Sequence, residues 1–233
     1  MVETTKKLVT ITVDGRSYEA QEGKKIINFC REQGIEIPSL CHLKDYSDIS
    51  SCRLCMVQIE GYDHMFAACS TKIEDGMVIT TQSEKLTEYR KEMLRLILSN
   101  HTVDCLNCPK NAACELQKLC NDYDVKETPY AGSRREIENK LPKLEDNPYL
   151  IYDPSKCIHC QRCISVCNRA AGNHTLQSGR TGVFHTVEAP FGPDWKKTGC
   201  ETCGNCAAAC PTGALSLKRQ GTFRSWETKK VLT

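Results

Sequence analysis

The run CIHCQRCISVC, from Cys157 to Cys167, is followed further along the chain by CETCGNCAAAC, from Cys200 to Cys210, and both read C-x2-C-x2-C-x3-C. Three cysteines two residues apart in one tight loop present three thiolates to three irons of a compact cluster, with a fourth thiolate arriving from elsewhere. A structural zinc site takes paired C-x2-4-C knuckles and has no need of a third cysteine at x2 and a fourth at x3. The pattern, present twice, therefore points to 4Fe-4S clusters. Such an internal repeat also implies pseudo-twofold construction, here from about Tyr149 onward.

Where two such motifs share a domain, as in two-cluster bacterial-type ferredoxins, the fourth cysteine of each ligates the other cluster. One cluster is thus expected on Cys157, Cys160, Cys163 and Cys210, and the other on Cys200, Cys203, Cys206 and Cys167. The first motif runs on as Cys167-Asn168 rather than the common Cys-Pro, which alters the local turn but not the donors.

Upstream, residues 121–149 are polar, proline-punctuated and weakly periodic, and read as a connector. Before them lies HTVDCLNCPKNAAC, His101 to Cys114, with three cysteines at metal-site spacing. Its fourth ligand is either His101 or Cys120, and the residues alone leave that open. A helix from Ser83 to about Ser99 precedes it, with an apolar stripe of Leu86, Tyr89, Met93 and Leu96 or Ile97.

The N-terminal third holds Cys41, Cys52, Cys55 and Cys69, a C-x10-C-x2-C-x13-C set. LVTITVDGRSYEA alternates β-formers around Asp14-Gly15, the signature of a tight hairpin. A short helix with Ile26, Ile27, Phe29 and Cys30 on one face should follow, stopped at Gly34, with Cys30 as a packed core residue. LCMVQIEG and GMVITT read as further strands. On a β-grasp scaffold this order gathers four thiolates around a 2Fe-2S cluster, although spacing alone leaves zinc open.

Taken in order, Cys41/Cys52/Cys55/Cys69, the His101 motif and the paired ferredoxin motifs resemble one module. It is the N-terminal iron-sulfur part of the large iron-sulfur subunit of bacterial complex I. Iron-only hydrogenases, NAD-linked formate dehydrogenases and the small diaphorase subunit of NAD-reducing hydrogenases share it, and the likeness covers nearly the whole chain. The resemblance implies an α+β fold in three parts. These are a β-grasp 2Fe-2S ferredoxin-like domain (1–82), a small helical 4Fe-4S domain with one histidine and three cysteine ligands plus the connector (83–148), and a two-cluster 4Fe-4S ferredoxin-like domain with its tail (149–233). It also implies that His101, Cys105, Cys108 and Cys114 are the ligands of the middle cluster. If AACELQKLC is a helix, six residues turn Cys120 by roughly 240° from Cys114, which agrees with leaving Cys120 out.

Composition narrows the class. Seventeen cysteines in 233 residues, with no signal peptide or apolar span, suit the reducing cytoplasm, where clustered cysteines bind metals rather than pair as disulfides. The formal charge of +2 gives no footprint for nucleic acid. No G-x-G-x-x-G follows a strand, so no dinucleotide site and no catalytic site is expected on this chain. His42 and His159 read as residues that shape their surroundings. Arg53, Lys156 and Arg162 read as solvated surface charges, with cluster tuning as the other role open to them. The tail FRSWETKKVLT resembles the lead-in to a molybdopterin-type domain.

The expectation is an electron wire with one 2Fe-2S and three 4Fe-4S clusters. It would join a flavin-bearing NAD(P)H dehydrogenase subunit to a catalytic subunit of hydrogenase or formate dehydrogenase type, without nucleic acid or membrane insertion. A free multi-cluster ferredoxin and a colourless zinc-binding interaction module are the alternatives.

Overall fold

The structure, a computed structural model, describes residues 7–130, 132, 141, 147–180, 184–189, 195 and 198–218. The tail from Phe223 and most of the connector's second half lie outside the described residues. Two compact units are present: residues 1–99 with 115–132, and residues 100–114 with 133–233.

The first unit is built on a five-stranded sheet, order β2-β1-β5-β3-β4. Strands β1 (Leu8–Val13) and β2 (Arg16–Gln21) pair antiparallel from Leu8↔Gln21 to Val13↔Arg16. Period-two alternation buries Val9, Ile11 and Val13 on one face. Asp14 and Gly15 both take left-handed backbone (φ 48 and 78), as a two-residue turn of this hand requires. The Asp14 carboxylate then accepts from the Thr81 backbone N–H (2.7 Å) and hydroxyl (2.5 Å), fixing the turn to the chain after β5 (Val78–Thr80), which lies parallel to β1.

Strand β3 (Met56–Ile59) runs antiparallel to both β5 and β4 (Met65–Ala67). Helix α1 (Ile26–Glu32) buries Ile26, Ile27, Phe29 and Cys30 in the core, and it ends at Gly34 (φ 75), where the Ile35 N–H closes back on the Cys30 carbonyl (2.8 Å).

Helix α2 (Glu84–Ser99) buries Leu86, Arg90, Leu94 and Leu98. That face is rotated from the expected stripe, and Leu96 is exposed. The expected stripe omits position 90 because a guanidinium normally points to water, and here it does not. Helix α3 (Glu115–Asp122) completes the unit.

The second unit holds two small antiparallel pairs, β6 (Leu150–Tyr152) with β9 (Leu215–Leu217) and β7 (Gln177–Gly179) with β8 (Thr186–Glu188). Helices α4 (Arg162–Arg169) and α5 (Asn205–Ala209) pack around a core that includes Leu150, Tyr152, Trp195 and Leu215. Tyr152 stacks on Trp195 with ring centroids 6.3 Å apart. Mixed α and β structure is thus present throughout. Among the described residues, no helix is long and apolar enough to cross a membrane.

Candidate metal centres

No disulfide is assigned to any of the seventeen cysteines. In the first unit, Cys41, Cys55 and Cys69 are buried and Cys52 partly so. The Cys41 and Cys52 sulfurs lie 3.3 Å apart, and Cys52 Sγ accepts the Leu40 N–H at 3.4 Å. Hydrogen bonding from Cys52 pulls the Cys41 thiol down to about 5, and hydrogen bonding from Cys55 pulls Cys69 down to about 6. The donors Cys52 and Cys55 are pushed far above the usual thiol range by those same bonds and by burial.

The two pairs also feel each other, Cys69 through the charge of Cys41 and Cys55 through that of Cys52. The four sulfurs therefore share one buried place, in which Cys41 and Cys69 give up protons readily while Cys52 and Cys55 hold theirs as donors; thiolate is the form that binds metal. Ser50 Oγ stands 3.2 Å from Cys69 Sγ. Beside these cysteines, His42 Nε2 meets Asn28 Oδ1 at 2.9 Å, so that ring braces α1 against the cysteine loop.

The two ferredoxin-type loops of the second unit repeat one backbone device. Left-handed residues fall at His159 and Gln161 in the first and at Thr202 and Gly204 in the second, two and four positions after Cys157 and Cys200 respectively. Each non-glycine residue in this conformation costs roughly 1–2 kcal/mol, and a β-branched threonine there is a true outlier. Alternating hand turns successive N–H groups into a concavity suited to an anion, the nest found at many iron-sulfur sites.

The sulfurs then group across the repeat. Cys163 is pushed well up by burial and next by the charges of Cys160, Cys157 and Cys210, with Cys206 behind them. Cys206 rises to about 12 through burial and then through Cys200, Cys167 and Cys203. Cys167, Cys200, Cys203 and Cys206 line one small cavity of about 20 Å³, with Thr175 and Trp195 in its wall.

Polar groups reach these sulfurs from residues that carry no sequence signal. Thr175 Oγ1 lies 3.1 Å from Cys167 Sγ, and Asn147 Nδ2 donates to Cys200 Sγ at 3.6 Å. Tyr152, on β6, hydrogen-bonds Cys157 while its oxygen accepts the Val187 N–H at 3.2 Å. Thr212 sits 3.7 Å from Cys210 Sγ but donates its hydroxyl to the Lys156 carbonyl at 2.8 Å. No motif announces such residues, because each lies outside the C-x2-C loop whose sulfur it meets.

Two charge expectations are corrected here. Arg162 and Lys156 are buried rather than solvated, Lys156 with Asp153 Oδ2 at 3.9 Å, while Arg53 is exposed. His159 packs edge-on against His185, centroids 4.8 Å apart.

His101 is buried, and Cys105, Cys108 and Cys114 are partly buried, all in the second unit. The Thr102 N–H donates to the Ser155 carbonyl (2.9 Å), which ties this loop to the turn before Cys157. A methyl group built on Gly213 would stand 2.4 Å from Cys108 Sγ, so the Cys210 turn approaches this loop as closely as only glycine allows. Cys114 precedes α3 rather than lying on it, so a helical angle between Cys114 and Cys120 does not apply. Instead the two fall in different units, Cys114 in the second and Cys120 in the first.

Among the described residues, no three His, Cys, Asp or Glu side chains converge closely enough to hold a single metal ion. A cluster is wider than an ion and takes its ligands around its outside. Four sulfurs around one small cavity, with hydrogen-bond donors behind two of them, make the ligand set such a body takes.

Comparison with known proteins agrees. Residues 6–84 match a 2Fe-2S iron-sulfur cluster binding domain, 90–129 the NADH-ubiquinone oxidoreductase-G iron-sulfur binding region, and 193–216 a 4Fe-4S binding domain. The chain thus carries both 2Fe-2S and 4Fe-4S iron-sulfur binding domains.

More particularly, it is related to the G-type subunits of NADH-quinone oxidoreductase and to NAD(P)-reducing hydrogenase subunits. It is 36% identical over 216 residues to the NADPH-Fe(3+) oxidoreductase subunit alpha of Geobacter sulfurreducens, which covers 91% of this chain and 24% of that one. It is 34% identical over 227 residues to a G-type subunit of the NADH-quinone oxidoreductase of Rhizobium meliloti (97% and 26%). With the NADP-reducing hydrogenase subunit HndD of Solidesulfovibrio fructosivorans it shares 35% over 213 residues (89% and 36%). The chain therefore spans about a quarter to a third of the length of these relatives. A chain in the crystal structure of an H2-reduced NAD+-reducing [NiFe]-hydrogenase superposes with TM-score 0.82 at 26% identity, covering 92% of this chain and 89% of that one.

Proposed function

We propose that this chain relays single electrons between a flavin-bearing NAD(P)H dehydrogenase subunit and a catalytic subunit of hydrogenase or formate dehydrogenase type. Four clusters would serve it: one 2Fe-2S on Cys41, Cys52, Cys55 and Cys69, and three 4Fe-4S. The latter sit on His101/Cys105/Cys108/Cys114, on Cys157/Cys160/Cys163/Cys210, and on Cys200/Cys203/Cys206/Cys167. When bound, such clusters take up and release one electron at a time at potentials their surroundings set.

The observation that carries this reading is the crossed grouping of sulfurs in the second unit, where Cys206 stands with Cys200, Cys203 and Cys167. A zinc knuckle has no use for that crossing. The five-stranded sheet with α1 supports a β-grasp reading of the first domain. The division into cluster-bearing domains at 1–82, 83–148 and 149–233 follows the ligand sets. The relatives' names share a pyridine nucleotide and enzyme complexes of several subunits, which supports the choice of partners. Seventeen cysteines with no assigned disulfide suit a reducing cytoplasm.

The chain's own residues would hold and insulate the clusters. Left-handed loop residues aim N–H groups at them, and the buried cysteines keep water from them. The test is metal analysis with low-temperature EPR after anaerobic purification: about 14 iron atoms per chain, with both cluster types, are expected. Zinc without iron would overturn the proposal.

A further inference from the structure

Arg90 is 2% exposed, and every nitrogen of its guanidinium has a partner within the first unit. Nε donates to the Leu54 carbonyl (3.2 Å), Nη2 to the carbonyls of Met56 (3.0 Å) and Thr81 (2.8 Å), and Nη1 reaches the Tyr123 hydroxyl (3.4 Å). Among the described residues, none of these partners carries a charge. Arginine stays protonated in proteins, and burying its charge without an anion costs several kcal/mol. The carboxylates of Glu36, Glu115, Asp122 and Asp124 line the pocket that Arg90 also borders, but among the described residues none is ion-paired with it, so a counter-charge on its buried side is called for.

Leu54 and Met56 flank Cys55, and Leu54 follows Cys52 by two residues. The Leu54 N–H hydrogen-bonds the Cys52 sulfur, while the Leu54 carbonyl turns back to Arg90. The loop thus has two faces, one toward the sulfurs and one pinned on the guanidinium. Because a trans peptide points its N–H opposite its carbonyl, fixing the Leu54 carbonyl also fixes the direction of the Cys55 N–H.

We infer that Arg90 is the positioning residue and counter-charge of the 2Fe-2S centre: its fork holds the Cys52–Cys55 loop, and its buried positive charge raises the cluster's reduction potential. The sign follows from charge. Reduction adds a negative charge to a centre already carrying four thiolates, so a fixed cation favours the reduced form. Low surrounding dielectric strengthens that effect.

The inference rests on Cys41, Cys52, Cys55 and Cys69 being the ligands, and the experiment separates the two. The full chain, with all clusters, is prepared as wild type, Arg90→Lys and Arg90→Gln, and titrated potentiometrically with EPR detection. Arg90→Gln keeps donors for the carbonyls but removes the charge, and should shift the 2Fe-2S midpoint to more negative potential while the 4Fe-4S midpoints stay in place. Arg90→Lys should stay near wild type at neutral pH. If Arg90→Gln does not fold, Arg90→Lys decides: a buried lysine loses its proton at lower pH than usual, so the 2Fe-2S midpoint should fall as pH rises, where wild type stays flat.

An unchanged midpoint in iron-replete Arg90→Gln would overturn the inference, as would a pH-independent midpoint in Arg90→Lys, even with thermal stability lowered. Absence of a 2Fe-2S signal from wild type would instead overturn the ligand assignment.

Discussion

Thr175 offers a sharp test of how this chain sets potentials. Its hydroxyl lies 3.1 Å from Cys167 Sγ and both groups are buried. A cysteine bound to iron is a thiolate with no proton to give, so the hydroxyl must be the donor. Hydrogen bonds to charged groups are worth about 1.5–3 kcal/mol, and this one is stronger when the cluster is reduced and more negative. If the two oxidation states differ by about 1 kcal/mol in that bond, Thr175→Val lowers the midpoint by roughly 40 mV, since about 59 mV corresponds to a tenfold change for one electron.

The control is Thr212. It stands 3.7 Å from Cys210 Sγ but gives its proton to the Lys156 carbonyl at 2.8 Å. Thr212→Val should therefore cost about 1–3 kcal/mol of stability by leaving that buried carbonyl unpaired, with little change in potential. The assay is an EPR-monitored redox titration beside urea unfolding of each variant. An unmoved potential in iron-replete Thr175→Val, or an equal fall in Thr212→Val, would refute the reasoning.

Gly213→Ala places a methyl carbon 2.4 Å from Cys108 Sγ, so the variant should lose about four iron atoms or alter the His101 cluster's EPR signal, with the 2Fe-2S signal intact. Full iron content and an unchanged spectrum would count against that packing. Cys30 is held at about 12 by burial and secondarily by Asp14, against an ordinary 9.0, so the fold favours its neutral thiol. That contribution is complete below about pH 9 and is lost as pH rises toward about 12, by about 1.4 kcal/mol per unit. Urea unfolding at increasing alkalinity should show a flatter slope for Cys30→Ala. His101→Cys should keep a cluster and lower its potential, because a thiolate adds charge where imidazole is neutral, while Cys120→Ala should retain all iron. Loss of a cluster in Cys120→Ala would reverse that ligand choice.

Much of this protein is written locally. Hairpin β1–β2 follows from alternation around Asp14-Gly15, and α1 from Ile26, Ile27, Phe29 and Cys30 on one face ended by Gly34. These features depend on neighbours a few residues apart, where periodicity and turn chemistry act. The cysteine spacing is local in the same sense, since a C-x2-C-x2-C loop forms its three-sulfur face from its own backbone.

The α2 stripe shows where such reading stops. Leu86, Leu94 and Leu98 are legible as apolar, but Arg90 between them is not legible as buried, because a charge in a helix normally faces water. It turns inward because carbonyls of Leu54, Met56 and Thr81 meet it, and only folding brings those three together. Arg162 and Lys156 escape sequence reading for the same reason. A charge at this spacing does not reveal whether chain will cover it.

By itself the sequence determined the cysteine loops, the short-range elements and, through the doubled motif, the class of metal centre. The tertiary structure alone decided which distant groups meet the cysteine loops: Thr175 at Cys167, Asn147 at Cys200, Gly213 against Cys108 and Arg90 on the carbonyls either side of Cys55. The reason is physical. Ligation is set by local spacing, whereas the hydrogen bonds and buried charges that tune a cluster come from any part of the chain that packs against it.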